Sequence, residues 1–244
     1  MSSFPKWTVV TPMANEGKDF APFIAALNRA MDALGSGHVI LVVDRVSKDN
    51  TRVLAEECAQ ADPRYTCLWE PSTRHVVDAY LAGFRLALEM GFAWVVEMDA
   101  GMSHDPAALP QFLAALAEGN ECVFGSRFLP GGSMVDSPPS RKFLSEAGTI
   151  AAKLLLGSKG TDMTSGYEAF TRDVLTRLVG FPLISTAHFY QTEVRYLLRN
   201  RRWVEIPIHY RAPSPRVSHG AIKNSFHALG HYTKLRFAGK APSL

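Results

Sequence analysis

Three cysteines in 244 residues leave little for covalent stapling. Cys58, Cys67 and Cys122 are odd in number, widely separated and without the paired spacing of a zinc site, so they read as reduced core thiols. No apolar run approaches the roughly 18 residues of a membrane span. The opening "MSSFPKWTVV" has no basic segment followed by an apolar stretch, so no secretory signal is evident. Charge of either sign is not in great excess: 26 Lys and Arg against 23 Asp and Glu give a formal +3. No extended basic patch accompanies it, which argues against a nucleic-acid partner. Internal repeats and low-complexity segments are also lacking. These features predict a cytoplasmic protein, at most peripheral at the inner face of a membrane.

What remains is a chain long enough to bury a core, 47% hydrophobic and 20% charged. In its first half, short apolar runs alternate with amphipathic stretches. "WTVVTPM", "HVILVVD", "TCLWE", "AWVVEMD" and "ECVFGSRF" show little polar alternation, the mark of strands covered on both faces. Between them "DFAPFIAALNRAMDAL", "NTRVLAEECAQA", "VVDAYLAGFRLALEMG" and "DPAALPQFLAALAEG" carry apolar residues at helical spacing. Such alternation predicts an α/β fold with a mostly parallel central sheet flanked by helices. Asp49 and Asp105 suit helix starts, and Gly91 and Gly119 suit helix ends. After about residue 130 comes a long loop, "LPGGSMVDSPPSRK", then the helix "KFLSEAGTIAAKLLLG" and the polar turn "TDMTSG". Helices near 171–179 and 189–201, a late strand "WVEIPIHY", a basic loop "RAPSPRVSHG" and a last helix "AIKNSFHALGHYTKLRF" complete the chain.

Open parallel sheets bind ligands beyond the carboxyl ends of their strands. Asn15 and Glu16, Asp44, Asp99 and Arg127 all follow predicted strands, so acids and bases gather at one sheet edge. Each of these residues alone also suits a turn or helix cap.

The ordered set "TPMANEG", "VVDRVSKDNT", "EMDAGMSHDP", "FGSRFLPGG", "DMTSGYEAF" and "VEIPIHYRAPSPRVSH" resembles family-2 glycosyltransferases, nearest to the dolichyl-phosphate mannose synthase-like, polyprenyl-phosphate branch. The likeness runs from about residue 7 to 237. It implies the glycosyltransferase A fold in one domain over 1–244, with a Rossmann-like nucleotide-sugar-binding half over about 7–130. An acceptor-side half with the C-terminal helix follows over about 131–237. It implies a hexosyltransferase that moves a sugar, with inversion, from a GDP- or UDP-linked donor to an acceptor, a polyprenyl or dolichyl phosphate. A nucleotide-sugar-binding protein with impaired transfer, and a transferase acting on a polysaccharide or nucleic-acid hydroxyl, are the alternatives.

By the same resemblance Thr11, Pro12, Asn15, Glu16, Asp44 and Arg211 bind the nucleotide-sugar, and Asp99 joins them while also holding a divalent Mg or Mn ion. Ser103 is the other implied metal contact, because Gly101 stands where many relatives have a second acid. Arg45 likewise replaces an acid after Asp44. Asp99, Arg127, Arg141 and Glu193 are implied as catalytic, with both arginines facing phosphate, a task suited to their planar fork. Arg141, Ser145, Asp162, Ser165, Gly166, Ser218 and His219 fall on the acceptor side, and Arg216 lies in the same basic loop. Gln191 reads as a core-edge residue, and "HVVDAY", replacing a glycine-rich loop of relatives, carries no assigned role. The last helix sets Ile222, Phe226, Leu229, Tyr232 and Phe237 beside Lys223, Lys234 and Arg236. That pattern suits packing on the domain, the preferred reading, or lying on an anionic membrane.

Overall fold

A computed structural model describes residues 4–135, 139–211 and 219–244, without the side chains of Arg141 and His219. Five strands appear where the apolar runs place them: β1 (Trp7–Met13), β2 (Val39–Asp44), β3 (Tyr65–Glu70), β4 (Trp94–Glu97) and β5 (Cys122–Ser126). They alternate with α1 (Phe20–Leu34), α2 (Thr51–Ala61), α3 (Val76–Glu89) and, after a 3₁₀ turn at Pro106–Ala108, α4 (Leu109–Ala117). Next come β6 (Ser133–Val135), α5 (Pro139–Leu156), β7 (Glu168–Thr171), α6 (Arg172–Gly180) and α7 (Phe189–Leu197). The chain ends with β8 (Trp203–Pro207), β9 (His209–Arg211) and α8 (His219–Phe237).

Seven strands form one sheet in the order β3-β2-β1-β4-β7-β5-β8, and β6 and β9 pair in a small second sheet. β7 is antiparallel to both β4 and β5; the other pairings are parallel. Because β7 and β8 come from late in the chain, a split near residue 130 is not a spatial division of the sheet.

Strand periodicity divides the core. On β1 and β2, Val9, Met13, Val39, Leu41 and Val43 face one layer, while Val10, Ile40 and Val42 face the other. The first layer is closed by α1, whose buried Phe20, Phe23, Leu27, Ala30 and Met31 recur at helical spacing. That helix stops at Gly35, whose left-handed φ of 65° lets its N–H donate to the Asp32 carbonyl. Across the sheet α3 lies so close that a Cβ on Gly83 would collide with Val10 and Val42. Its Phe84 and Ala87 are fully buried. Truncating such a phenylalanine to alanine costs about 3–5 kcal/mol. A third cluster joins α5, α7 and α8 through Ala152, Leu156, Phe189, Tyr196, Leu197, Ala228 and Tyr232. The last helix therefore packs on the domain, while Phe226 and Phe237 stay 70% and 76% exposed.

Candidate active site

All parallel strands point their carboxyl ends to one edge, so the segments after β1, β2, β4 and β5 meet there. β7 runs the other way, and for that reason the segment before it, residues 162–167, arrives at the same edge. A Cβ built on Gly166 would stand 3.7 Å from both Asp99 carboxylate oxygens. Asp99, Ser165 and Gly166 are thus brought together, as are Asn15, Glu16 and Asp44 one strand over.

Asp99 is the exposed acid of the cluster, with 40% of its side chain open to solvent. Its position is fixed from two sides. The hydroxyl of buried Tyr80, on α3, donates to Asp99 Oδ1 at 2.5 Å, and the Asp99 amide donates to His104 Nδ1 at 3.1 Å. His104 is fully buried, and burial lowers its pKa to about 4, so the ring is neutral and supports the turn without forming an ion pair. Because Nδ1 accepts, the proton sits on Nε2, which has no hydrogen-bond partner among the described residues. Asp105 accepts from the Ala107 amide at 2.9 Å, a cap with Pro106 behind it. Tyr80 went unassigned in the sequence; the signal was a tyrosine ending the "HVVDAY" turn.

The packing gives several of the expected site residues partners inside the protein. Arg127 is not a free phosphate fork: its Nε and Nη2 donate to Asp162 Oδ2 and Oδ1 at 2.7 and 2.8 Å, and Nη2 also donates to Thr164 Oγ1. Asp162, completely buried, is the internal counter-ion of Arg127. Burial opposes its charge, yet Arg127 and the neighbouring Arg195 hold its carboxyl down at about 2. Glu193 is fully buried too, its oxygens taken by the Ile184 and Ser185 amides at 2.9 and 2.8 Å and by the Tyr232 hydroxyl. These bonds tie the segment before α7 and the last helix α8 to one buried carboxylate. Asn15, held at a left-handed φ of 60°, spends its amide on Lys48 N and Val46 O, which shapes the loop after β2. Thr11 is wholly buried inside β1, its hydroxyl without a hydrogen-bond partner among the described residues. Asp44 is nearly buried and accepts from the Val46 amide at 2.9 Å. Pro12 lies in register with Val42, Ser103 accepts the Arg211 amide at its carbonyl, and the Arg211 side chain projects from the exposed strand β9. Ser218 and Arg216, and the side chains of Arg141 and His219, lie outside the described residues.

Arg195 is the principal buried charge that the sequence did not reveal. It donates to Glu168 Oε1 at 2.7 Å, to the carbonyls of Gly125 and Ser165, and to that of Asp162. Four bonds from one guanidinium thereby fix the 162–165 turn against β5 and β7. Glu168 lies opposite Glu97 across the β4–β7 ladder. Burial raises Glu168 to about 7 despite Arg195, and burial together with Glu168 lifts Glu97 well above its ordinary range.

Beside this edge opens a cavity of about 410 Å³. Asp99, Arg127, Gly166 and Gln191 line it at the sheet, and Leu144, Ala147, Ile222 and Leu229 line it between α5 and α8. Ser145 is on the wall, as is Gln191, which the sequence had left at the edge of the core. The space is polar where Asp99 stands and apolar toward the helices.

Residues 8–179 match the family described as Glycosyl transferase family 2. The chain belongs to that family. It is a glycosyltransferase of the polyprenyl-phosphate branch, as the ordered motifs implied. It is 39% identical over 184 residues to an undecaprenyl-phosphate mannosyltransferase from Micrococcus luteus, covering 75% of each chain. It is 34% identical over 203 residues to a polyprenol monophosphomannose synthase from Mycolicibacterium smegmatis, covering 82% of this chain and 75% of the other. Among solved structures, a mannosyltransferase from Pyrobaculum calidifontis in complex with GDP-Man and Mn2+ superposes with a TM-score of 0.63 at 21% identity. That superposition covers 99% of this chain and 67% of the other. Glucosyl-3-phosphoglycerate synthase of Mycobacterium tuberculosis superposes at 0.67 with 18% identity, covering 98% and 82%. The sheet with its flanking helices is thus the glycosyltransferase A fold.

The Pyrobaculum calidifontis mannosyltransferase and a complex of the Mycobacterium tuberculosis synthase with uridine-diphosphate both hold Mn2+. No group of three or more His, Cys, Asp or Glu that could hold a metal ion stands among the described residues of this glycosyltransferase. The edge nevertheless fits such an ion. Asp99 offers one exposed carboxylate, and a Cβ built on Gly101 would run into Glu16 Oε2, so an acidic oxygen already occupies the room beside residue 101. Two carboxylates suffice for Mg or Mn when phosphates and waters complete the shell.

Proposed function

We propose that this glycosyltransferase moves a mannosyl residue, with inversion, from a nucleoside diphosphate-mannose to a polyprenyl phosphate. The observation that carries the reading is the two-ended cavity: polar Asp99, Ser145, Ser165 and Gln191 toward the sheet edge, Leu144, Ala147, Ile222 and Leu229 toward the helices. A lipid phosphate has that same division into an anionic head and an apolar chain. The names of the relatives support the choice of sugar and acceptor.

The donor's nucleoside lies over the ends of β1 and β2, against Asp44 and the loop that Asn15 shapes. Its diphosphate reaches Asp99, where a bound divalent ion would neutralise charge on the leaving group. An acceptor phosphate oxygen attacks the sugar's anomeric carbon from the face opposite the diphosphate. The carbon–oxygen bond to the diphosphate breaks, and its electron pair leaves with that group. A phosphate monoester is already largely anionic near neutral pH, its second pKa being about 6, so no strong base is required. That suits a site in which Glu193 and Asp162 are both committed elsewhere. The protein's contribution is to align the two substrates and exclude water.

Phe143, Ile150 and Leu154 stand 71%, 57% and 73% exposed on one face of α5, whose other side lines the cavity. We place this stripe against the membrane that carries the acceptor. No described helix is long and apolar enough to cross a membrane.

The test is transfer from radiolabelled GDP-mannose to undecaprenyl phosphate in detergent, with undecaprenol and a mannose oligosaccharide as rival acceptors. Label entering the organic phase only with the phosphate is the expected result. Transfer to the hydroxyl acceptors alone, or nucleotide binding with no transfer, would refute the proposal.

A further inference from the structure

Gly101 leaves a vacancy in the motif and Glu16 fills it. β1 and β4 are hydrogen-bonded neighbours in parallel register, so the loops that leave them run side by side. Gly101, at a left-handed φ of 71°, turns its open side toward the β1 loop. The three atoms nearest to a Cβ built there are Glu16 Oε2, Cδ and Oε1. The Glu16 amide is anchored to Thr51 Oγ1 at 2.8 Å, so the side chain projects from a fixed base. Its carboxylate makes no hydrogen bond among the described residues. The charges that act on it are those of Asp19, Asp99 and Asp49, all acidic. A half-buried acid surrounded by other acids is costly unless a cation joins them.

We propose that Glu16 is the second protein carboxylate of the divalent-metal site, reaching across from the β1 loop to do what a side chain at residue 101 cannot. This rests on the proposed donor chemistry and adds to it an origin for the missing ligand. Asp99 and Glu16 would each give oxygen, and the donor's phosphates and water the remainder. A side chain at residue 101 would have to displace the Glu16 carboxylate and adopt the left-handed φ of 71°.

Mn2+ binding in the presence of GDP, followed by electron paramagnetic resonance of free Mn2+, tests the assignment without reference to turnover. Glu16→Gln keeps size and removes charge. It should weaken Mn2+ at least about tenfold, the loss that even an outer-sphere partner can cause. Asp19→Asn removes a neighbouring charge without a proposed ligand and should stay within roughly twofold of wild type. The reciprocal exchange E16A/G101D should recover most of the affinity lost in E16A. Mn2+ binding in E16Q equal to wild type, an equal loss in D19N, or no recovery in a folded E16A/G101D would each overturn the proposal. A wild-type protein that binds GDP without any Mn2+ would count against the metal-assisted reading itself, a separate outcome.

Discussion

Replacing Arg127 with alanine separates a structural arginine from a phosphate ligand. The guanidinium holds both oxygens of Asp162 in a pocket where the two side chains are 4% and 0% exposed. Removing it strands a buried carboxylate, a change that costs about 3–5 kcal/mol. The shift of Asp162 supports the scale: a carboxyl taken from 3.8 to about 2 is held charged by roughly 2–3 kcal/mol, shared between Arg127, Arg195 and the Thr164 amide. For a chain of this size each kcal/mol moves Tm by about 2–4 °C, so Arg127→Ala should melt roughly 6–20 °C lower in scanning calorimetry. The sign with pH follows from the depressed pKa. Asp162 contributes stability in full above about 3.8 and loses it as pH falls through about 2. In the variant the folded-state pKa rises, and this acid-labile component shrinks. Replacing Asp162 together with Arg127 by apolar residues should recover much of the loss. A variant that melts within about 2 °C of wild type yet binds GDP-mannose tenfold more weakly would refute the assignment, since that shift is below what one kcal/mol produces.

Three further outcomes are expected. Tyr80→Phe deletes the hydroxyl on Asp99; a bond to a charged group is worth about 1.5–3 kcal/mol, and with Asp99 partly hydrated the lower end applies. Transfer kcat/KM should fall about tenfold with Tm little changed, and unchanged kinetics would remove Tyr80 from the site. Glu168, raised to about 7 by burial, contributes stability that is complete below about 4.5 and disappears as pH rises through 7. Glu168→Gln should therefore flatten the denaturation free energy between pH 5 and 8 relative to wild type, and a parallel profile would contradict this. Changing Phe143, Ile150 and Leu154 together to serine should cut sedimentation with anionic vesicles at least tenfold, each side chain carrying about 1.5–3 kcal/mol of apolar transfer. Solution Tm should hold, and undiminished vesicle binding would place the membrane contact elsewhere.

The strands β1 to β5 were legible because burial on both faces leaves an apolar run that little else produces. β7 was not: "EAFT" is four residues long, begins with a buried acid, and follows a turn with no apolar lead-in. Its reversed direction was equally hidden, although that direction brings Gly166 to Asp99. Residue types at the edge could be read, but their pairings could not. Arg127 and Asp162 are 35 positions apart, and nothing local says that one neutralises the other. The family resemblance singled out Glu193, but an isolated glutamate on a helix does not disclose that two amides and a hydroxyl meet it. Gly101 was visible as an omission, while the reach of Glu16 into the same space depends on two loops meeting.

The reversed strand at the centre of the sheet has a bearing on how the chain is made. Until residue 171 has left the ribosome, β4 lacks one neighbour and β5 has neither of its partners in the sheet. Shortened products that end before "EAFT" should therefore clump or be degraded, although β1 to β5 are already present. Four residues, Glu168–Thr171, thus join β4 to β5, so the sheet cannot be divided by a cut at the middle of the chain.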